Sequence, residues 1–390
     1  MVPVTGTGIA DVAIVGAGLF GLTLAERLTV ALPGISVLVV EATGRIGGLC
    51  SSQWHERLGV HVHPRGTHVL ATDDAKVWAF AAAHTRVIRY RHHVHAAYRG
   101  RLIPLPLGLE AVEAVFGGPL AADEARRLVD ADRAPYRHPA PATVEQAALG
   151  ELGPRLYEAF VHHHVAKQWG ADPADLAPEV FTSRFGLRYT RGNRYHQHAR
   201  WQGLPAGGWG SMLHRLADRS GIRVQLGHEA DASDPPPFRH ALVVTSPIDA
   251  WFGHRLGRLE RRSLAVDWRP TRTRTAPTAP TVTYPDPAVP YYRTHTPSLL
   301  PGAAPTLTSR QVLVGYERAG TGERQVDFVL RSPGNLDLAD AYRTLGQQLN
   351  GDGQFFAGRG TTFYDDMATT IAAAMHLARR LTTRLRTVHT

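Results

Sequence analysis

Six residues near the start of the chain, Gly16-Ala17-Gly18-Leu19-Phe20-Gly21, restrict the fold more than any other stretch. They follow the apolar run Asp11–Val15 and precede Leu22–Leu32, where apolar residues recur at helical spacing; a second strand-like run, Ser36–Val40, ends at Glu41. In G-x-G-x-x-G at a strand-to-helix turn, the first glycine permits the tight turn, the second lets backbone approach a pyrophosphate, and the third lets helix pack on strand. The helix N-terminus then offers unpaired N–H groups and the positive end of its dipole to phosphate. Glu41, 20 residues beyond Gly21, stands where a carboxylate accepts from ribose hydroxyls. Together, triplet, flanking periodicity and acid predict a dinucleotide-binding βαβ unit.

The rest of the chain is too long, at 390 residues, for one hydrophobic core. Residues 108–170 read as mostly helical, with Asp123–Val129 and Val144–Val165 apolar at helical spacing. Arg223–Leu226 and Ala241–Thr245 read as strands, and the proline- and threonine-dense stretch 268–310 as edge strands and loops, with Thr281–Tyr284 alternating. Met367 to about Val388 reads as a helix with Ile371, Met375, Ala378, Leu381 and Leu385 on one face. The fold class expected is α/β. A Rossmann-like dinucleotide-binding domain is assembled from 1–70, 206–252 and 352–390, a helical insertion spans 108–185, and an antiparallel sheet domain takes 71–107, 186–205 and 253–351.

Composition narrows the function classes. Hydrophobic residues at 43% and charged residues at 20% mark a globular chain, and the apolar runs are too short to cross a bilayer. No basic segment followed by an apolar one opens the chain, and Cys50 is the single cysteine, which excludes an internal disulfide framework and a cysteine-rich zinc site. A cytoplasmic location is the simplest expectation. The net charge of +9 comes almost wholly from arginine, since Lys76 and Lys167 are the only lysines. The arginines are scattered without interleaved aromatics, which favours a pocket for a phosphorylated ligand over a nucleic-acid surface.

Arg45-Ile46-Gly47-Gly48, just after Glu41, resembles the flavoprotein branch of dinucleotide folds and points to FAD. Over nearly its whole length the chain then resembles the UDP-galactopyranose mutase family. The motifs run in order: Gly66-Thr67-His68, Leu105-Pro106-Leu107, Lys167-Gln168-Trp169-Gly170, Arg184-Phe185-Gly186-Leu187-Arg188-Tyr189, Asn193-Arg194-Tyr195, Gln202-Gly203-Leu204-Pro205, Val289-Pro290-Tyr291-Tyr292-Arg293, Gly358-Arg359 and Asp366-Met367.

The resemblance implies interconversion of pyranose and furanose forms of a nucleotide-diphosphate sugar without net oxidation. In that family reduced FAD acts as the nucleophile at the anomeric carbon. The two family arginines that hold the departing diphosphate correspond to Arg184 and Arg293, and the flavin-facing histidine to His68. Trp169 matches a wall of the nucleotide pocket and Tyr195 a diphosphate contact. Arg359, grouped with the substrate contacts, and Asp366 lie where the family completes its flavin site. Gly16, Gly18, Gly21, Glu41, Gly47, Gly48, Gly358 and Asp366 form the expected cofactor set.

Departures from the family pattern cluster near the reacting end. Ala71 replaces a second histidine, Asp327-Phe328-Val329 replaces Tyr-Tyr-Pro, and Tyr364-Asp365-Asp366-Met367 carries an extra carboxylate. In the base pocket, His164 and His92 replace tyrosine and asparagine, so GDP or dTDP sugars are open beside UDP sugars. Two cofactor expectations follow: reduced FAD, or Mg²⁺ or Mn²⁺ with flavin lost and Asp365 and Asp366 as ligands. For the histidines His61, His63 and His162-His163-His164, ordinary polar roles outweigh metal ligation, and for Asp366 helix capping outweighs it. The competing function is an FAD-dependent, amine-oxidase-like oxidoreductase. The expected partner is the nucleotide sugar, with no nucleic acid and no membrane; a homodimer is left open.

Overall fold

The computed structural model describes residues 8–182, 185–192, 194–303, 310–320, 326–362 and 366–388, without the side chains of 326, 327 and 388. A five-stranded parallel sheet runs in the order Ile222–Leu226, Val37–Glu41, Ala10–Val15, Phe238–Val244 and Gln354–Phe356. Its central strands are continuous aliphatic runs because helices cover both faces. Alternation divides them cleanly. Val12, Ile14, Val37 and Val39 pack with helices Leu19–Ala31, Gly208–Ala217 and Met367–Val388. Ala13, Val15, Leu38 and Val40 pack on the other face with Ile248–Trp251 and Pro333–Gln348.

Two segments sit differently from the sequence-based domain division. Ala75–His84, placed with the sheet domain, packs through Val77 and Phe80 into the core of the parallel sheet. Pro333–Gln348, also placed there, packs through Ala339 and Tyr342 on that sheet's second face. Both are amphipathic helices that cross from one domain to cover the other, and local periodicity carries no information about the partner.

The second sheet has seven strands in the order Val326–Val329, Arg261–Arg272, Gln311–Ala319, Arg293–His295, Thr281–Thr283, Val94–Tyr98 and Arg101–Leu105. It is antiparallel except where Thr281–Thr283 pairs parallel with Val94–Tyr98. Helices Leu109–Phe116, Ala122–Arg133, Val144–Leu152, Pro154–Phe160 and His162–Trp169 enclose a separate core against it. The apolar pattern over Val144–Val165 is broken twice. Gly153, at φ +76°, ends one helix and Pro154 occupies the first turn of the next, while Val161 separates that helix from His162–Trp169. The last helix spans Met367–Val388 with Ile371, Ala378, Leu381 and Leu385 buried. No described helix is long and apolar enough to cross a membrane.

Candidate functional site

The glycine turn is a backbone construction with no spare space. Gly16 has φ +108°, and a Cβ there would lie 2.2 Å from Thr245 Oγ1; one on Gly21 would lie 2.1 Å from the Gly16 carbonyl oxygen. Gly18 is the exception, with nothing within 4 Å of its would-be Cβ. The Leu19–Ala31 helix that it opens has no side-chain cap, so its N-cap side chain takes up none of the first-turn amides. Gly47 bridges to Gly18 and its N–H donates to the Ala17 carbonyl at 2.9 Å, so the Gly47-Gly48 pair is docked on the turn itself. Glu41 Oε2 accepts from the Ala17 N–H at 2.9 Å, and Oε1 accepts from Thr43 N–H and Oγ1–H. Gly358, at φ +69°, approaches the Phe20 ring, its would-be Cβ 3.3 Å from Cγ. Seven members of the cofactor set are thus linked by direct contacts around the turn.

Asp366 is exposed and accepts from the Thr369 N–H at 2.8 Å, capping the last helix. Asp365 and Arg184 lie outside the described residues. Among the described residues, Glu158, His162 and His163 alone have the spacing of a metal cluster. The two carboxylate oxygens of Glu158 are already engaged by His162 Nδ1 at 2.8 Å and His163 Nε2 at 3.1 Å. The cluster borders an open cleft of about 700 Å³ also lined by Tyr98, Arg155 and Asp286.

Beyond the glycine turn, the centre of the site is made of imidazoles. The Gly66-Thr67-His68 loop follows the strand Val60–Val62. His68 has its Nδ1 buried without a hydrogen-bond partner among the described residues. Burial, with the Arg359 charge adding, pushes its imidazole down to about 4, so the ring is neutral at pH 7. Burial likewise pushes His63 down to about 3, and His63 Nδ1 accepts from the His68 N–H at 3.1 Å. Arg359 is also the charge near Cys50, whose thiol burial pushes up to about 12. Cys50 is thus an inert packing residue.

Arg293 begins the strand Arg293–His295 and pairs in register with Glu317 on the neighbouring strand. Glu317 Oε2 lies 3.6 Å from Arg293 Nη1 and 2.9 Å from His295 Nε2. Burial opposes ionisation of Glu317, yet the Arg293 charge and the hydrogen bond from His295 Nε2 hold its carboxyl down to about 2. His295 and Glu317 escaped the sequence reading. The signal for His295 was alternation: two residues past Arg293 in a strand, it shares that residue's face. For Glu317 there was no local signal, because its role comes from cross-strand register.

Arg293 also lines a small cavity of about 30 Å³ with His164, Gln168, Tyr195 and Thr283. His164 meets the Tyr292 ring edge-on at 5.7 Å, and His92 meets Tyr195 edge-on at 5.9 Å. Burial pushes His92 well below its ordinary value, with His196 adding. Trp169 sits elsewhere. It is buried in the helical core edge-on to Phe328 at 4.6 Å and does not line the cavity. Its motif has a structural role instead: Lys167 Nζ donates to the carbonyls of Tyr284 at 2.8 Å, Tyr291 and Asp286, pinning the loop that leads into Arg293. Phe328, in the place of a family tyrosine, is the ring that fills the core beside Trp169.

A glycine-turn βαβ module under a roofing sheet defines a two-domain dinucleotide-binding protein, and a model of the NAD(P)-binding Rossmann-like domain matches residues 14–83. The family model described as UDP-galactopyranose mutase matches residues 159–364. The chain belongs to the UDP-galactopyranose mutase family. A probable UDP-galactopyranose mutase of Klebsiella pneumoniae is 29% identical over 373 residues, 94% of each chain. The dTDP-fucopyranose mutase of Escherichia coli is 27% identical over 65% of this chain and 67% of its own. Among solved structures, reduced UDP-galactopyranose mutase superposes with a TM-score of 0.73 at 15% identity, covering 96% of this chain and 94% of that one. Cyclohexylamine oxidase from Brevibacterium oxydans gives 0.61 at 17% identity over 97% and 100%. These superpositions establish the shared fold, and the fold alone does not separate mutase from oxidase.

Proposed function

We propose that this protein is an isomerase that interconverts the pyranose and furanose forms of a nucleotide-diphosphate sugar, with reduced FAD as its cofactor. The observation that carries this reading is Arg293, set at the cavity edge and sharing the buried Glu317 carboxylate with His295, the residue that meets Thr67 in the His68 loop. An oxidase sharing the fold has no need of a cation at that point.

The residues fit the flavin dinucleotide. The Gly18 approach is open, the helix amides are uncapped by any side chain, and Glu41 keeps lone pairs on a carboxylate that already fixes the turn. His68, neutral and with a buried Nδ1 unpartnered among the described residues, supplies a polar atom where the reacting end would lie. Bound in its reduced state, the flavin would supply an electron-rich nucleophile for the anomeric carbon. Arg293, with Arg184 from sequence, would grip the diphosphate as its charge grows on departure, a bidentate task suited to guanidinium. Tyr195 and Gln168 would line the passage from diphosphate to sugar. His92 and His164 replace the family's base-pocket side chains, and with the dTDP-fucopyranose mutase among the relatives they support a nucleotide other than UDP.

The test is the absorbance spectrum of the purified protein, followed by a panel of UDP-, GDP- and dTDP-sugars with and without dithionite and EDTA. Ring isomers are then separated chromatographically. Ring interconversion that requires reduction and survives EDTA is expected. Substrate oxidation with consumption of O₂ would return the protein to the oxidoreductase reading, and a wide preference for UDP-galactose would make the base-pocket substitutions neutral.

A further inference from the structure

We infer that His295, fixed by Glu317, is a positioning residue that locks the His68 loop to the strand carrying Arg293, so that the sugar-facing and diphosphate-facing sides of the site move as one body. The inference rests on the mutase reading of the site for its kinetic consequence, but its geometry stands by itself.

The loop is held from two sides by imidazole nitrogens that act as acceptors. Thr67 N–H donates to His295 Nδ1 at 3.3 Å, and Thr67 Oγ1 lies 3.1 Å from the same nitrogen. On the other side His68 N–H donates to His63 Nδ1 at 3.1 Å, while Trp209 Nε1–H donates to the His68 carbonyl at 2.9 Å. The turn is closed by Gly66 N–H donating to the His63 carbonyl at 3.0 Å. The His295 ring lies against Gly66, which has φ +92°; a Cβ there would come 3.1 Å from Nε2.

These contacts fix the chemistry of His295. An amide N–H can only donate, so Nδ1 must present its lone pair to Thr67. The ring proton then sits on Nε2, where the Glu317 carboxylate accepts it at 2.9 Å. An imidazolium would place a second proton on Nδ1, facing the Thr67 N–H. Glu317 therefore selects a tautomer as well as pairing with Arg293, and the same carboxylate oxygen serves both contacts.

The consequence is geometric. Arg293 and His295 share a strand face, and Thr67 hangs from the second of them, so the distance from the arginine to the loop is set by a rigid strand. A misplacement of about 1 Å in a reacting constellation costs about 100-fold in rate. Breaking the tether should thus lower kcat while leaving ground-state binding nearly intact.

Two conservative variants separate the two ends of the imidazole. His295→Gln keeps a donor where Nε2 meets Glu317 and removes the acceptor for Thr67; His295→Asn keeps an acceptor near Nδ1 and removes the Glu317 link. In His295→Gln, kcat should fall about tenfold or more with KM for the nucleotide sugar within about threefold, and amide exchange at Thr67 and His68 should rise about tenfold. His295→Asn should recover amide protection and much of kcat. In the wild-type protein, ¹⁵N NMR of His295 should show one neutral tautomer protonated at Nε2. Wild-type exchange and kcat in His295→Gln, no recovery in His295→Asn, or a proton on Nδ1 would each overturn the inference. If no nucleotide sugar turns over at all, the mutase reading fails. The tautomer and the amide exchange would still decide the tether, and the wild-type spectrum does so even if the variants fold poorly.

Discussion

Around Gly16–Gly21 the chain meets its proposed ligand with backbone; around Arg293 and His295 it does so with side chains. The first region is contiguous and made by absence: each missing Cβ leaves room that a carbonyl, a threonine or a ligand takes up. The second gathers a loop at Thr67, a strand at Arg293–His295 and a neighbouring strand at Glu317, and is made by charge and tautomer. At Gly16 and Gly21 the backbone leaves no room for a side chain. Side-chain sites accept conservative exchange but depend on protonation.

Four experiments bear on the contrast. The largest effect is expected in the backbone region, where Gly21→Ala drives a Cβ to 2.1 Å from the Gly16 carbonyl oxygen, with no flexible atom able to yield. The helix must separate from its strand at a cost of about 3 kcal/mol, seen as a Tm lower by about 5 °C or more. Gly18→Ala is the control: Gly18 has φ −83° and open space, so Tm should hold while flavin affinity drops about tenfold or more. Equal loss of Tm in both variants would break the distinction between fold glycine and ligand glycine.

Next comes Arg293→Ala, expected to lower kcat/KM by about 100-fold, since a charge-assisted hydrogen bond to the departing diphosphate stabilises the transition state by about 2–4 kcal/mol. Arg293→Lys should recover only part, because a point charge lacks the planar fork. Near-native turnover in the alanine variant would remove the arginine from the diphosphate assignment.

The third concerns pH and should act on the side-chain region alone. His63 and His68 have folded values of about 3 and 4, below the ordinary 6.5, through burial. The unfolded chain therefore binds more protons between pH 6.5 and 4, and stability falls as pH falls through that window, by up to about 1.4 kcal/mol per pH unit for each ring. Glu317, held at about 2, adds its own loss only below about pH 4.5. Thermal unfolding across pH 7 to 4 reads the slope, and His63→Asn should reduce it by that ring's share, up to about 1.4 kcal/mol per pH unit, leaving the shares of His68 and His92. A flat profile in the wild-type protein would mean that these rings are already charged or solvated.

The smallest effect is at Asp366. As a helix cap its replacement by alanine should cost about 1 kcal/mol in thermal unfolding. EDTA or added Mg²⁺ should leave the wild-type Tm unchanged; a metal-dependent Tm would restore the carboxylate to a ligand role.

The sequence by itself determined the βαβ module, because the glycine spacing, the flanking periods and the distance to Glu41 are all local quantities that the backbone converts directly into geometry. It also carried the last helix, Met367–Val388, whose apolar stripe is a local periodicity. Through the family motifs it singled out Arg293 and His68, which the structure connects through Glu317, His295 and Thr67. Tertiary structure alone decided the rest. The family motif matched Trp169 to a pocket wall and left a core tryptophan as the alternative; only the tertiary structure shows the indole buried edge-on against Phe328. Helices Ala75–His84 and Pro333–Gln348 crossed to the parallel sheet because an amphipathic face specifies burial and not the surface that buries it. Glu317 and His295 became a pair only through strand register and a loop more than 200 positions away in the chain. Register and docking are set by the summed packing of whole elements, so no window of sequence contains them.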